Sequence, residues 1–85
     1  MDKLLLTACQ NGQKGVVMAF LKKDNINVNA VDEMGLSPLH YACRKGYRDI
    51  VKLLLGKDAD LNQISNTNVT PLHMAVQSGN KEIIQ

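Results

Sequence analysis

"SPLHYACRKG" at residues 37–46 returns as "TPLHMAVQSG" at residues 70–79, and that return decides the fold. The same offset relates Pro38 to Pro71, Leu39 to Leu72, His40 to His73, Ala42 to Ala75, Gly46 to Gly79 and, further on, Ile50 to Ile83. Self-similarity at such a period marks a chain built by repeating one supersecondary unit, each unit too small to bury its apolar face alone.

Lengthening the offset by one position brings "LLLTACQNG", residues 4–12, onto the same pattern, pairing Leu5 with Leu39, Ala8 with Ala42, Cys9 with Cys43 and Gly12 with Gly46. The stretch also looks like a lipoprotein cleavage box ending at Cys9. That reading fails, because a secretory signal needs a basic start and about 7–15 apolar residues, whereas only Leu4, Leu5 and Leu6 precede the box and Asp2 has the opposite charge. The extra residue falls in residues 24–29, "DNINVN", opposite the shorter "DADLN" of residues 58–62. Loops take insertions most easily.

Each unit has the punctuation of a helix pair. Ser37 or Thr70 caps the first helix, with Pro38 or Pro71 at the first helical position, where its missing N–H costs nothing. Asp2 is the corresponding cap of the first unit. Gly46 or Gly79 closes that helix in a left-handed conformation. The second helix follows in "YRDIVKLLL", residues 47–55, and in "QKGVVMAFL", residues 13–21. Ile50, Val51, Leu54 and Leu55 form one apolar face with Arg48, Asp49 and Lys52 toward solvent, and Val16, Val17, Phe20 and Leu21 do the same. Between units, Gly35 and Asn68 suit tight turns that need positive φ.

The 33-residue period, the Ser/Thr-Pro-Leu-His-x-Ala signature, the glycine after the first helix and the "ADLN" ending resemble the ankyrin repeat over essentially the whole chain. The resemblance implies an all-α solenoid of helix-loop-helix units joined by protruding β-turns, with a concave surface for other proteins. About three repeats are expected: a degenerate capping repeat at residues 1–31, a full repeat at 32–64 and a partial one at 65–85. Asp24 and Asp58 stand where the family usually has glycine, at an expected cost of a few tenths to ~1 kcal/mol each. The chain stops midway through a second helix. Further repeats or domains beyond residue 85, or another chain over this face, are therefore expected.

Composition excludes several other functions. Ten basic and eight acidic residues are interspersed, and only Phe20, Tyr41 and Tyr47 are aromatic, so neither a phosphate-binding face nor a stacking platform for nucleic acid is expected. No membrane, small-molecule substrate or cofactor is implied. Two cysteines are too few for a disulfide framework, which favours an intracellular, reducing compartment, the cytoplasm first. The sequon at Asn68 is read as chance. Asp58, Asp60 and Asn62 imitate the start of a calcium loop, but Gln63 and Val69 stand where it needs glycine and glutamate. His40 and His73 share one slot in successive repeats, the pattern of a repeated structural hydrogen bond, with no neighbours at metal-ligand spacing. Cys9 and Cys43 are expected to be buried.

With no catalytic constellation, the expected function is noncatalytic protein binding through the turn tips and the inner-helix face. The resemblance implies recognition positions flanking each turn and just before the first helix's glycine: Glu33, Met34, Leu36, Arg44 and Lys45, then Asn66, Thr67, Val69, Gln77 and Ser78. Val31, Ile64, Gln10 and Asn11 occupy related positions. Met34 and Leu36 are the apolar anchors if both project into water; folding back of one onto the stack is the competing expectation. Two alternatives are an N-terminal targeting or autoinhibitory arm of a longer enzyme, channel or effector, and self-association through the last helix.

Overall fold

The computed structural model describes residues 2–23 and 25–78, and for Asp2 and Ser78 the backbone alone. Among them five helices occur and no strand: α1 (Asp2–Gln10), α2 (Lys14–Leu21), α3 (Pro38–Lys45), α4 (Arg48–Leu55) and α5 (Pro71–Ser78). Each has eight or nine residues, too few to hold as an isolated helix in water. Their stability comes from stacking. Helices α1, α3 and α5 pack side by side as an inner row, with α2 against α1 and α4 against both α3 and α2 as an outer row.

The helix ends follow the sequence closely. At α3, Ser37 Oγ accepts the His40 N–H at 3.3 Å while His40 Nδ1 accepts the Ser37 N–H at 3.0 Å, a reciprocal cap ahead of Pro38. Gly46 closes the helix at φ 74°, where its N–H reaches the Cys43 carbonyl and Tyr47 N–H the Ala42 carbonyl, a Schellman ending. Gly12 ends α1 in the same way at φ 70°. Gln13 and Tyr47 then each form the centre of a three-residue γ-turn that folds the next helix back on the first. Asp58 takes the left-handed position after α4 at φ 64°. Asp24 and residues 79–85, with Gly79 and Ile83, lie outside the described residues, and the Asp2 side chain expected to cap α1 does too.

The core is a continuous band. Ala8, Ala42 and Ala75 sit at one register of the inner row with almost no exposure, small enough to let α1, α3 and α5 approach. Around them are Leu5, Cys9, Leu39 and Cys43 from the inner row and Val17, Leu21, Ile50, Val51 and Leu54 from the outer. Full burial of one such aliphatic side chain stabilises by about 1.5–3 kcal/mol. Neither thiol is in a disulfide and both are buried; burial pushes Cys9 up to about 12 and Cys43 up to about 11, so neither is a nucleophile at neutral pH.

Two apolar-face expectations are corrected. Val16 and Leu55 are exposed, although Ile50 and Leu21, their counterparts in the neighbouring unit, are buried. The reason is position in the stack: α4 covers Leu21, and Ile50 lies between units, whereas no described element covers Val16 or Leu55.

Candidate protein-interaction face

The turns are built before anything can bind to them. Asp32 Oδ1 accepts the N–H groups of Met34 at 2.9 Å and Leu36 at 3.0 Å, and the Asp32 N–H reaches the Leu36 carbonyl at 3.1 Å. Gly35 completes the turn at φ 78°, its N–H on the Asp32 carbonyl. One repeat later Ser65 takes the part of Asp32: its Oγ accepts the N–H groups of Thr67 and Val69, and Asn68 stands at φ 63°.

The two turns are fastened to each other. Asn66 donates its N–H to the Met34 carbonyl at 2.9 Å and its side-chain amide to the Glu33 carbonyl at 2.8 Å. A Cβ on Gly35 would lie 2.8 Å from the Asn66 nitrogen, so the glycine is needed for this approach as well as for its φ. His40 adds a deeper tie. Its Nε2 lies 2.8 Å from the Val69 carbonyl and its Nδ1 2.8 Å from Ser37 Oγ. A carbonyl only accepts and the Ser37 N–H only donates, so Nε2 carries the proton and Nδ1 is bare. Burial, the largest influence, pushes the imidazole below its usual range, against the opposing pull of the Val69 carbonyl and the Asp32 carboxylate. The expectation of a structural histidine is met at His40. His73 repeats the local cap with Thr70 but is exposed.

The expected contact residues do not share one environment. Met34 is 60% exposed at its turn tip, with Glu33 beside it 4.0 Å from Lys3 on α1. Arg44 and Lys45 are exposed at the end of α3, Arg44 over the Tyr41 ring at 5.1 Å. Thr67 and Gln77 are exposed at the equivalent places one repeat on, and so are Val31 and Ile64 beside the turns. Asn66 is exposed, but its amide is occupied in joining the turns, and half-buried Val69 gives its carbonyl to His40. Ser78 ends α5, and its side chain lies outside the described residues.

Leu36 is the correction. At 5% exposure it belongs to the core, not to the surface. It immediately precedes the cap residue Ser37, where an apolar side chain folds onto the first turn of its helix. The Met34–Leu36 pair therefore divides: Met34 projects and Leu36 folds back.

The sequence does not single out Tyr41 and Asp32 as site residues. The Tyr41 hydroxyl donates to Asp32 Oδ2 across the space between turn and inner helix. Burial tends to raise the Asp32 carboxyl, but hydrogen bonds from Tyr41, Leu36 and Met34 outweigh it and hold the group below the usual carboxylate range. Burial and the same hydrogen bond push Tyr41 up to about 12. An Asp three residues before Gly is a turn signature, and it marks Asp32. Nothing local marks Tyr41 as its partner.

These features define a class: a helical repeat stack with turns aligned along one edge and a row of inner helices beside them. The comparisons give the family. An ankyrin-repeat profile of three copies matches residues 2–65, and one of many copies matches residues 49–85. The chain belongs to the ankyrin repeat family, whose members typically mediate protein–protein interaction and are noncatalytic.

Similar proteins include human BCL-6 corepressor-like protein 1, 41% identical over 61 residues, which are 72% of this chain and 3% of that protein. Ankyrin repeat protein FPV219 of fowlpox virus is 41% identical over 59 residues, 68% of this chain and 14% of the viral protein. Human scaffold protein ILK is 35% identical over 58 residues, 68% and 13% of the two chains. This chain thus spans less than a fifth of the length of these curated relatives.

Proposed function

We propose that this chain is a protein-binding module that engages its partner through the turn tips and the outward side of the inner helices. The observation that carries the reading is Met34: a large, flexible apolar side chain held in water at the tip of a turn locked by Asp32, Gly35 and Asn66. An apolar side chain presented in solvent on a fixed backbone is a ready anchor for a partner's pocket, because the turn that holds it needs no ordering on binding. Val31 and Ile64 extend the apolar edge, while Arg44, Lys45 and Glu33 supply charge around it. A polypeptide with apolar and acidic groups fits this arrangement. The likeness to a scaffold protein supports a noncatalytic role. Thiols outside any disulfide at Cys9 and Cys43 fit an intracellular, reducing compartment.

The test is capture of partners from lysate on the chain and on a variant carrying Met34→Ser, Arg44→Ala and Lys45→Ala. All three sites are exposed, so the variant keeps its helical circular-dichroism spectrum. Loss of a protein that the unchanged chain retains supports the reading, and retention of every captured protein by the variant overturns it.

A second reading rests on the relatives, in which the matched segment is a small part of a far longer chain. There the same face would be the targeting arm of a longer protein. A catalytic or membrane domain in the continuing reading frame would favour it.

A further inference from the structure

On the outer row, away from the turn tips, the C-terminal ends of α2 and α4 enclose a concavity of about 310 Å³. Met18, Leu21 and Leu53 form its apolar wall, and Lys22, Lys52 and Lys57 stand around it. Cations are favoured at helix C-termini, where the backbone carbonyls are unsatisfied. Among the described residues the lining contains no carboxylate. The neighbouring concavity at the other end of these helices differs: there Lys14 is matched by Asp49 at 3.3 Å.

We propose that this lysine-ringed groove is a second docking site, for a short acidic peptide segment that presents one or two aliphatic side chains between its carboxylates. The volume is at the lower end of the ~300–1,000 Å³ usual for ligand pockets, which suits a few side chains and not a whole helix. Charge complementarity selects the acidic flanks, since three ammonium groups around an apolar patch repel basic segments and attract acidic ones. The apolar wall is recessed, so it receives a convex side chain; a bilayer would instead need apolar groups that protrude past the lysines. Among the described residues its lining holds no aromatic ring on which a nucleic-acid base could stack. Because none of its lining residues belongs to the turns or inner helices, the site can be filled while a partner occupies the turn row.

The experiment is an amide-resolved NMR titration of the full chain with the capped peptide Asp-Glu-Leu-Leu-Glu-Asp. Two controls replace the acidic residues by Lys or the leucines by Ser. The expected result is shift changes centred on Met18, Leu21, Lys22, Leu53 and Lys57, with a dissociation constant on the order of 0.1–1 mM that weakens with salt. Lys22→Gln with Lys57→Gln, both exposed and checked for an unchanged helical circular-dichroism spectrum, weakens binding at least fivefold, and Arg44→Ala leaves it unchanged.

Absence of shifts at millimolar peptide, equal shifts with either control, or shifts confined to the turns would each overturn the proposal. So would binding of the chain through the same lysines to vesicles of phosphatidylcholine and phosphatidylserine, mixed two to one, while the acidic peptide leaves its spectrum unchanged.

Discussion

His40 Nε2 donates to the Val69 carbonyl across 2.8 Å, joining the first helix of one repeat to the turn that begins the next. The same imidazole receives the Ser37 N–H, so one buried ring satisfies a helix cap and an inter-repeat bond. Replacing His40 with Ala strands the buried Ser37 N–H and leaves the Val69 carbonyl only the Ser65 N–H, at about 1–3 kcal/mol. His73→Ala, at an exposed ring, should cost under ~1 kcal/mol. Urea unfolding of the two variants measures the difference.

The imidazole also gives stability a pH dependence. Its pKa in the folded chain is below the usual value of 6.5, so the unfolded chain binds the proton more readily. The contribution is complete above pH 6.5 and is lost as pH falls through the lower folded value. His40→Gln should flatten this slope between pH 7 and 5. A slope unchanged in the variant would assign the effect to other groups.

Leu36→Ser and Met34→Ser separate two residues that look equivalent in sequence. Leu36 is buried and its loss should cost about 2–3 kcal/mol, whereas Met34→Ser should stay within about 0.5 kcal/mol of the parent. Thermal unfolding midpoints test both.

Glycine substitutions should have opposite signs at two positions. Gly35→Ala meets a φ of 78° and the Asn66 backbone at once, and should destabilise by at least about 2 kcal/mol. Gly15→Ala adds a methyl to α2 with nothing within 4 Å and should stabilise by about 0.5 kcal/mol. Equilibrium unfolding of the pair checks the signs.

Asp58 holds a left-handed conformation that glycine adopts without strain, and its side chain is exposed. Asp58→Gly should therefore raise stability by about 0.5–1 kcal/mol. A destabilised variant would mean that the carboxylate makes a compensating interaction.

The architecture was legible because its determinants are local and occur more than once. Ser37, Pro38 and Gly46 specify a helix's start and end within a short stretch, and their recurrence at Thr70, Pro71 and Gly79 supplies the stack. The candidate face was only partly legible. Residue type did not distinguish Met34 from Leu36; the hydrogen bonds of Asp32 and the position of Leu36 before the cap do. The Tyr41–Asp32 contact joins a helix to the turn that precedes it, and no spacing rule announces it. The exposure of Leu72 at 45%, against 1% for its counterpart Leu39, depends on place in the stack, which a repeat-by-repeat comparison of sequence does not convey.

The central claim is that the turn row and inner helices form the binding face. Amide hydrogen exchange of the chain, with and without a captured partner, tests it most directly. The account predicts slowed exchange at residues 31–36, 41–45 and 64–69, with α2 and α4 unchanged. Protection confined to α2 and α4, with the turns exchanging as in the free chain, would contradict it.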